Sequence, residues 1–165
     1  MKNNEIKKLV LCGFGMAVIF VLTAFVAIPI GQFGYVNLGD TGVMLFASIL
    51  NPALAFLVAG VGSAAADMFL GFTQYALFTF IIKGLEGLII ALVISKFKAN
   101  FNIFGYLLGF IVMVLGYYFA DTILFGYISA LGGVGFNFMQ GLICCIIASI
   151  AQIFFVKSAQ KYFIE

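Results

Sequence analysis

The sequence contains no histidine, no tryptophan and no arginine, and only 8% of its 165 residues are charged. Without histidine there is no Ser-His-Asp triad, no Cys-His pair, no HExxH zinc site and no histidine-ligated haem. So little charge cannot cover a water-soluble domain, which draws roughly 25% of its residues from Asp, Glu, Lys and Arg. Three cysteines, Cys12, Cys144 and Cys145, lie in apolar runs without CxxC spacing and read as small core residues. No GxxxxGK[ST] loop is present, and Gly13-Phe14-Gly15 sits inside an apolar run rather than after a strand, so the chain has no ATP-hydrolysing motif of its own. A formal net charge of +2 is too small to point to nucleic acid.

What remains is apolar. Hydrophobic residues make up 65% of the chain and mean hydropathy is +1.24, so the solvent is lipid. The pattern predicts an all-α integral membrane bundle of six transmembrane helices, at about 9–30, 38–50, 53–70, 75–95, 103–129 and 138–156, forming one domain over residues 1–165. Gly31 to Asp40 reads as a loop whose glycines let it fold back, and Ala130 to Asn137 as a glycine-rich turn. The second segment is short, because Asn51-Pro52 pushes the chain out of helical conformation. With the N-terminus inside, Lys2, Lys7, Lys8, Lys96, Lys98, Lys157 and Lys161 all fall on the cytoplasmic side, which predicts an N-in, C-in topology.

Lys83 is left inside the membrane, together with carboxylates that cost at least about 2.5 to 3.5 kcal/mol each at mid-bilayer and are functional hypotheses by default. Asp40, Asp67, Lys83 and Asp121 fall in the outer half, with Glu86 one turn deeper than Lys83 at an i,i+3 spacing that lets the two pair. Pairing alone would explain Lys83 and Glu86, and Asp67, near a helix end, could simply reach water. Asp121 is flanked by Tyr117, Tyr118 and Tyr127, which bring hydroxyls and stacking faces, and Asn137 and Gln140 open the sixth helix. These residues, with Gln32, Tyr35 and Asn37 of the first loop, outline a pocket open to the outside with apolar walls and a few placed polar groups. Its carboxylates outnumber its single lysine. A neutral or weakly basic ring with hydroxyl or amino groups suits it better than a phosphate or dicarboxylate.

Gly13 and Ala17 in helix one, and Gly105, Gly109, Gly116 and Ala120 in helix five, have the small-residue spacing that permits close helix approach. Internal packing explains such pairs, but helix one is the better candidate for an external partner, since active transport by a chain without an ATP site needs a borrowed one.

The run GYVNLGDTGVMLFASILNPALAFLVAGVGSAAADMFLG from Gly34, followed by TFIIKGLEGLI from Thr79, resembles the substrate-binding S components of energy-coupling factor (ECF) transporters, in the riboflavin-type family to which hydroxymethylpyrimidine and pyridoxine carriers are also similar. The resemblance implies a six-helix subunit that captures a vitamin or vitamin precursor from outside and docks on a membrane coupling protein with two ABC-type ATPases. It further implies that the first loop closes over the cargo and that Gly13 and Ala17 stand where the family contacts its coupling protein, with no cofactor bound to the subunit itself. A stand-alone secondary carrier or facilitator, a small integral membrane enzyme and an assembly subunit are the competing readings.

Overall fold

The computed structural model describes residues 2–30, 35–97 and 102–159. The chain runs α1 (Lys2–Ala24), β1 (Ile28–Pro29), β2 (Tyr35–Val36), α2 (Gly39–Ala47), α3 (Pro52–Leu70), α4 (Ala76–Phe97), α5 (Asn102–Phe125) and α6 (Tyr127–Ala159). The fold is all-α apart from one small ribbon. Among the described residues, five helices, α1 and α3 to α6, are long and apolar enough to cross a membrane. The sixth expected span is not: α2 has nine residues, about 14 Å at 1.5 Å per residue. Its continuation is a turn through Ser48 to Asn51, where the extended Asn51 (φ −67°, ψ 159°) caps α3 by accepting the Leu54 N–H at 3.0 Å and Pro52 occupies the first helical turn.

Two other expectations are corrected. Helix one ends at Ala24 rather than near residue 30, because Ile28–Pro29 turns aside to pair antiparallel with Tyr35–Val36, in the register Ile28 to Val36 and Pro29 to Tyr35. Hydropathy continues through this stretch, but Pro29 disfavours helix at the residue before it. The glycine-rich turn expected at 130–137 is helical. The break falls instead at Gly126, whose φ of +87° is the left-handed conformation that ends α5 and lets α6 start one residue later.

The helices form a closed ring. Helix α1 packs on α3, α3 on α4, α4 on α5 and α5 on α6, while α2 lies between α6 and α1 and also touches α3 and α4. Every residue of α2 except Leu45 is buried. Small residues set the close contacts. A Cβ added to Gly60 of α3 would stand 2.6 Å from the Phe80 carbonyl of α4, and one added to Gly109 of α5 would stand 2.6 Å from Ile90. Gly109 and Gly116 therefore serve internal packing against α4. Gly13 and Ala17 do not, since both are exposed on the outer face of α1 and a Cβ on Gly13 would meet nothing within 4 Å.

Candidate functional site

The site begins where the ribbon enters α2. The Asn37 side chain accepts the Gly39 N–H at 2.7 Å, which fixes the helix start and sets Asp40 in its first turn. Asp40 is fully buried. One of its oxygens pairs with Lys83 Nζ, and the other accepts the Gln140 Nε2–H at 2.8 Å. Lys83 also donates to Glu86 Oε2 at 3.1 Å, so the expected Lys83–Glu86 pair is present, with Asp40 as a third member that spacing alone does not reveal. Gln140 Oε1 in turn accepts the Asn37 backbone N–H at 2.8 Å and its side-chain Nδ2–H at 3.3 Å. One network thus ties the ribbon, α2, α4 and α6.

Beside it lies a polar cavity of about 40 Å³. Tyr35 of the ribbon donates its hydroxyl hydrogen to Asp67 Oδ1 of α3, and Tyr75, just before α4, donates to Asp121 Oδ1 of α5 at 2.5 Å. Burial first, and then the carboxylate each one meets, push both phenols well above their ordinary range, so both remain donors. Thr79 and Tyr117 share a hydrogen bond at 3.1 Å, and Lys83 Nζ stands 5.5 Å from the centre of the Tyr117 ring. Among the described residues, Thr23 Oγ1 and Ser63 Oγ border this space without a hydrogen-bond partner although both residues are buried.

Most of the expected set converges here. Tyr35, Asn37, Asp67, Lys83, Tyr117, Asp121, Asn137 and Gln140 line the cavity, whereas Asp40 and Glu86 stand behind Lys83 and hold it. Gln32 lies outside the described residues. Asp67 does not reach water at a helix end. It is 3% exposed, because the ribbon folds over it and the Tyr35 hydroxyl donates to its Oδ1. Of the three tyrosines around Asp121, only Tyr117 lines the cavity; Tyr118 and Tyr127 meet each other edge to face, ring centres 6.4 Å apart. Sequence reasoning missed Thr23, Ser63, Phe72, Tyr75 and Thr79. The helical offset Tyr75, Thr79, Lys83, each four residues after the last on one face, is the signal that could have found two of them.

A second, apolar groove of about 300 Å³ runs between the ribbon and α6, bordered by Ile28, Val36, Met139 and Ile143. Asn37 and Gln140 border both spaces, so their hydrogen-bonded pair is the partition between them.

The described residues thus form a bundle of membrane-spanning helices around a polar cavity, the architecture of a membrane protein that takes up a small molecule. Residues 3–155 match the family of ECF-type riboflavin transporter S components, and the chain belongs to that family. It is a substrate-binding transporter subunit of the prokaryotic cell membrane. Among similar proteins, the thiamine precursor transporter HmpT of Lactococcus lactis is 30% identical over 152 residues, covering 91% of this chain and 88% of HmpT. An uncharacterized protein of Pyrococcus woesei is 44% identical over 109 residues, 64% of this chain and 72% of that protein.

Proposed function

We propose that this subunit captures a single-ring vitamin precursor of the hydroxymethylpyrimidine class from outside the cell and passes it on through a membrane coupling protein and two ABC-type ATPases. The observation that carries the reading is the distribution of charge around the cavity. Lys83, the one intramembrane cation among the described residues, is spent on Asp40 and Glu86. The cavity walls are left with the two tyrosine-capped carboxylates of Asp67 and Asp121 and the free hydroxyls of Thr23 and Ser63. Such walls accept hydrogen bonds from amino and hydroxyl groups and repel phosphate. A volume of about 40 Å³ favours a small cargo over the three fused rings of a flavin. The extent of similarity to HmpT, along nearly all of both chains, supports the same cargo class.

In this reading the chain is one domain lying N-in and C-in, as its lysines require. Helix α2 completes the six-helix ring inside the membrane although it does not itself cross. The exposed small face of α1 at Gly13 and Ala17 receives the coupling protein.

Isothermal titration of the purified subunit with hydroxymethylpyrimidine, pyridoxine and riboflavin tests the cargo. The expected order puts hydroxymethylpyrimidine first and riboflavin last; tight riboflavin binding with no response to the pyrimidine overturns it. Reconstituted alone in liposomes, the subunit should bind cargo without concentrating it, and accumulation without an ATPase partner would make it a secondary carrier.

A further inference from the structure

The segment 130–137 is rich in glycine yet helical, and a glycine inside a helix costs about 0.8 to 1.0 kcal/mol relative to alanine. Gly132 and Gly135 are exposed, and a Cβ on Gly135 would meet nothing within 4 Å. Gly133 differs. It is buried, and a Cβ there would stand 2.8 Å from Asp121 Oδ2, closer than real side chains approach, with Asn137 Nδ2 3.9 Å from the same point.

The other oxygen of that carboxylate, Oδ1, is held by Tyr75 at 2.5 Å. Asp121 is therefore pinned by a phenol on one side and seated on the other in the notch left by a missing methyl group. We propose that Gly133 is a positioning residue: its notch holds the Asp121 carboxylate back against α6, beside the Asn137 carboxamide, and so makes room for a ring edge that carries an amino group next to a ring nitrogen. Asn137 stands one helical turn from Gly133 on the same face, so carboxylate and amide border the cavity together. A carboxylate accepts from the amino group, and a carboxamide both donates and accepts, which matches the alternating edge of an aminopyrimidine. A methyl group at 133 would drive the carboxylate off Tyr75 or into the space the ring needs.

The inference rests on the cargo reading above, and its test separates the two. Gly133→Ala, Asp121→Ala and the double variant are titrated with hydroxymethylpyrimidine, which carries the amino group, and with the analogue that lacks it. Gly133→Ala should weaken the amino compound by about tenfold or more, the scale of a hydrogen bond to a charged group, while the analogue changes about twofold or less. In the Asp121→Ala background the added Gly133→Ala should change neither, because the atom it would strike is gone. Equal losses for both compounds, or the same loss in both backgrounds, would mean that Gly133 serves helix packing alone. Thermal unfolding gives a readout that needs no cargo. Gly133→Ala should raise the melting temperature less in the wild-type background, where the methyl strikes the carboxylate, than in Asp121→Ala, where the helix gain of alanine over glycine is unopposed; if the two backgrounds respond alike, or neither protein folds, the clash is with something other than Asp121 and the proposal falls. If wild type binds neither compound while this stability coupling holds, the cargo reading fails and the positioning of Asp121 stands.

Discussion

The buried carboxylates of the bundle are neutralised in two ways. Asp40 and Glu86 share the ammonium of Lys83, and Asp40 has its second oxygen taken by Gln140, so this group ties α2, α4 and α6 together, with Glu86 Oε1 its one carboxylate oxygen lacking a hydrogen-bond partner among the described residues. Asp67 and Asp121 have no ammonium; each takes one hydroxyl hydrogen from a tyrosine and faces the cavity. Charge matched by charge leaves little for a ligand, and removing one member strands the rest in a medium of low dielectric. Charge matched by a single phenol leaves acceptor capacity unspent. On the function proposed above, the first arrangement holds helices and the second faces cargo.

The largest effect should come from breaking the first group. Lys83→Met strands Asp40 and Glu86 and should destabilise the protein by about 3 to 5 kcal/mol, read as a lowered melting temperature in detergent. Adding Glu86→Gln should recover only part of that loss, since Asp40 stays buried without its cation; full recovery would show that Asp40 was not part of the pair.

Next comes the second group. Asp121→Asn should reduce affinity for hydroxymethylpyrimidine by about 1.5 to 3 kcal/mol with little change in melting temperature. A large drop in stability at normal affinity would erase the distinction between the two carboxylate classes. Tyr75→Phe, which removes only the cap, should cost about 1.5 kcal/mol, the low end for a hydrogen bond to a charged group, divided between affinity and stability.

The smallest effect is in pH. Tyr35 and Tyr75 have their phenols raised above the ordinary value of 10.0, so in the folded protein they keep protons that the unfolded chain gives up. The stability they contribute is complete below pH 10 and declines as pH rises beyond it. The alkaline fall in melting temperature should be shallower in Tyr35→Phe and Tyr75→Phe than in wild type.

Much of this is legible in the sequence for a physical reason. A charge inside a hydrophobic run is expensive enough to stand out, and so Asp40, Asp67, Lys83, Glu86 and Asp121 can all be named from the order of residues alone. Their partners cannot. Tyr35 reaches Asp67 and Gln140 reaches Asp40 across separations of 32 and 100 residues, which no local pattern carries. Hydroxyls such as Ser63 and Thr79 cost little in a helix and leave no trace in hydropathy. The ribbon is hidden because its residues are as apolar as the helix that precedes it, and the break at Gly126 because a single left-handed glycine is outweighed by the glycine cluster that follows. The short α2 is readable in outline, since Asn51-Pro52 marks its end.

The apolar part of α6, Tyr127–Phe155, is 29 residues, about 44 Å of helix, against 19 residues and about 28 Å for α3. A hydrocarbon core of about 30 Å fits α3 upright and cannot fit α6 without tilt or a bulge in the bilayer. On the site proposed above, such mismatch makes membrane thickness a variable of binding, because α6 carries Gln140, whose 2.8 Å bonds to Asp40 and to the Asn37 N–H depend on how far that helix leans. In vesicles of short-chain lipids α6 must lean further, and in long-chain lipids it can straighten. Cargo affinity should therefore pass through an optimum in acyl-chain length, with the lipid acting as an unlabelled effector on a site it never touches.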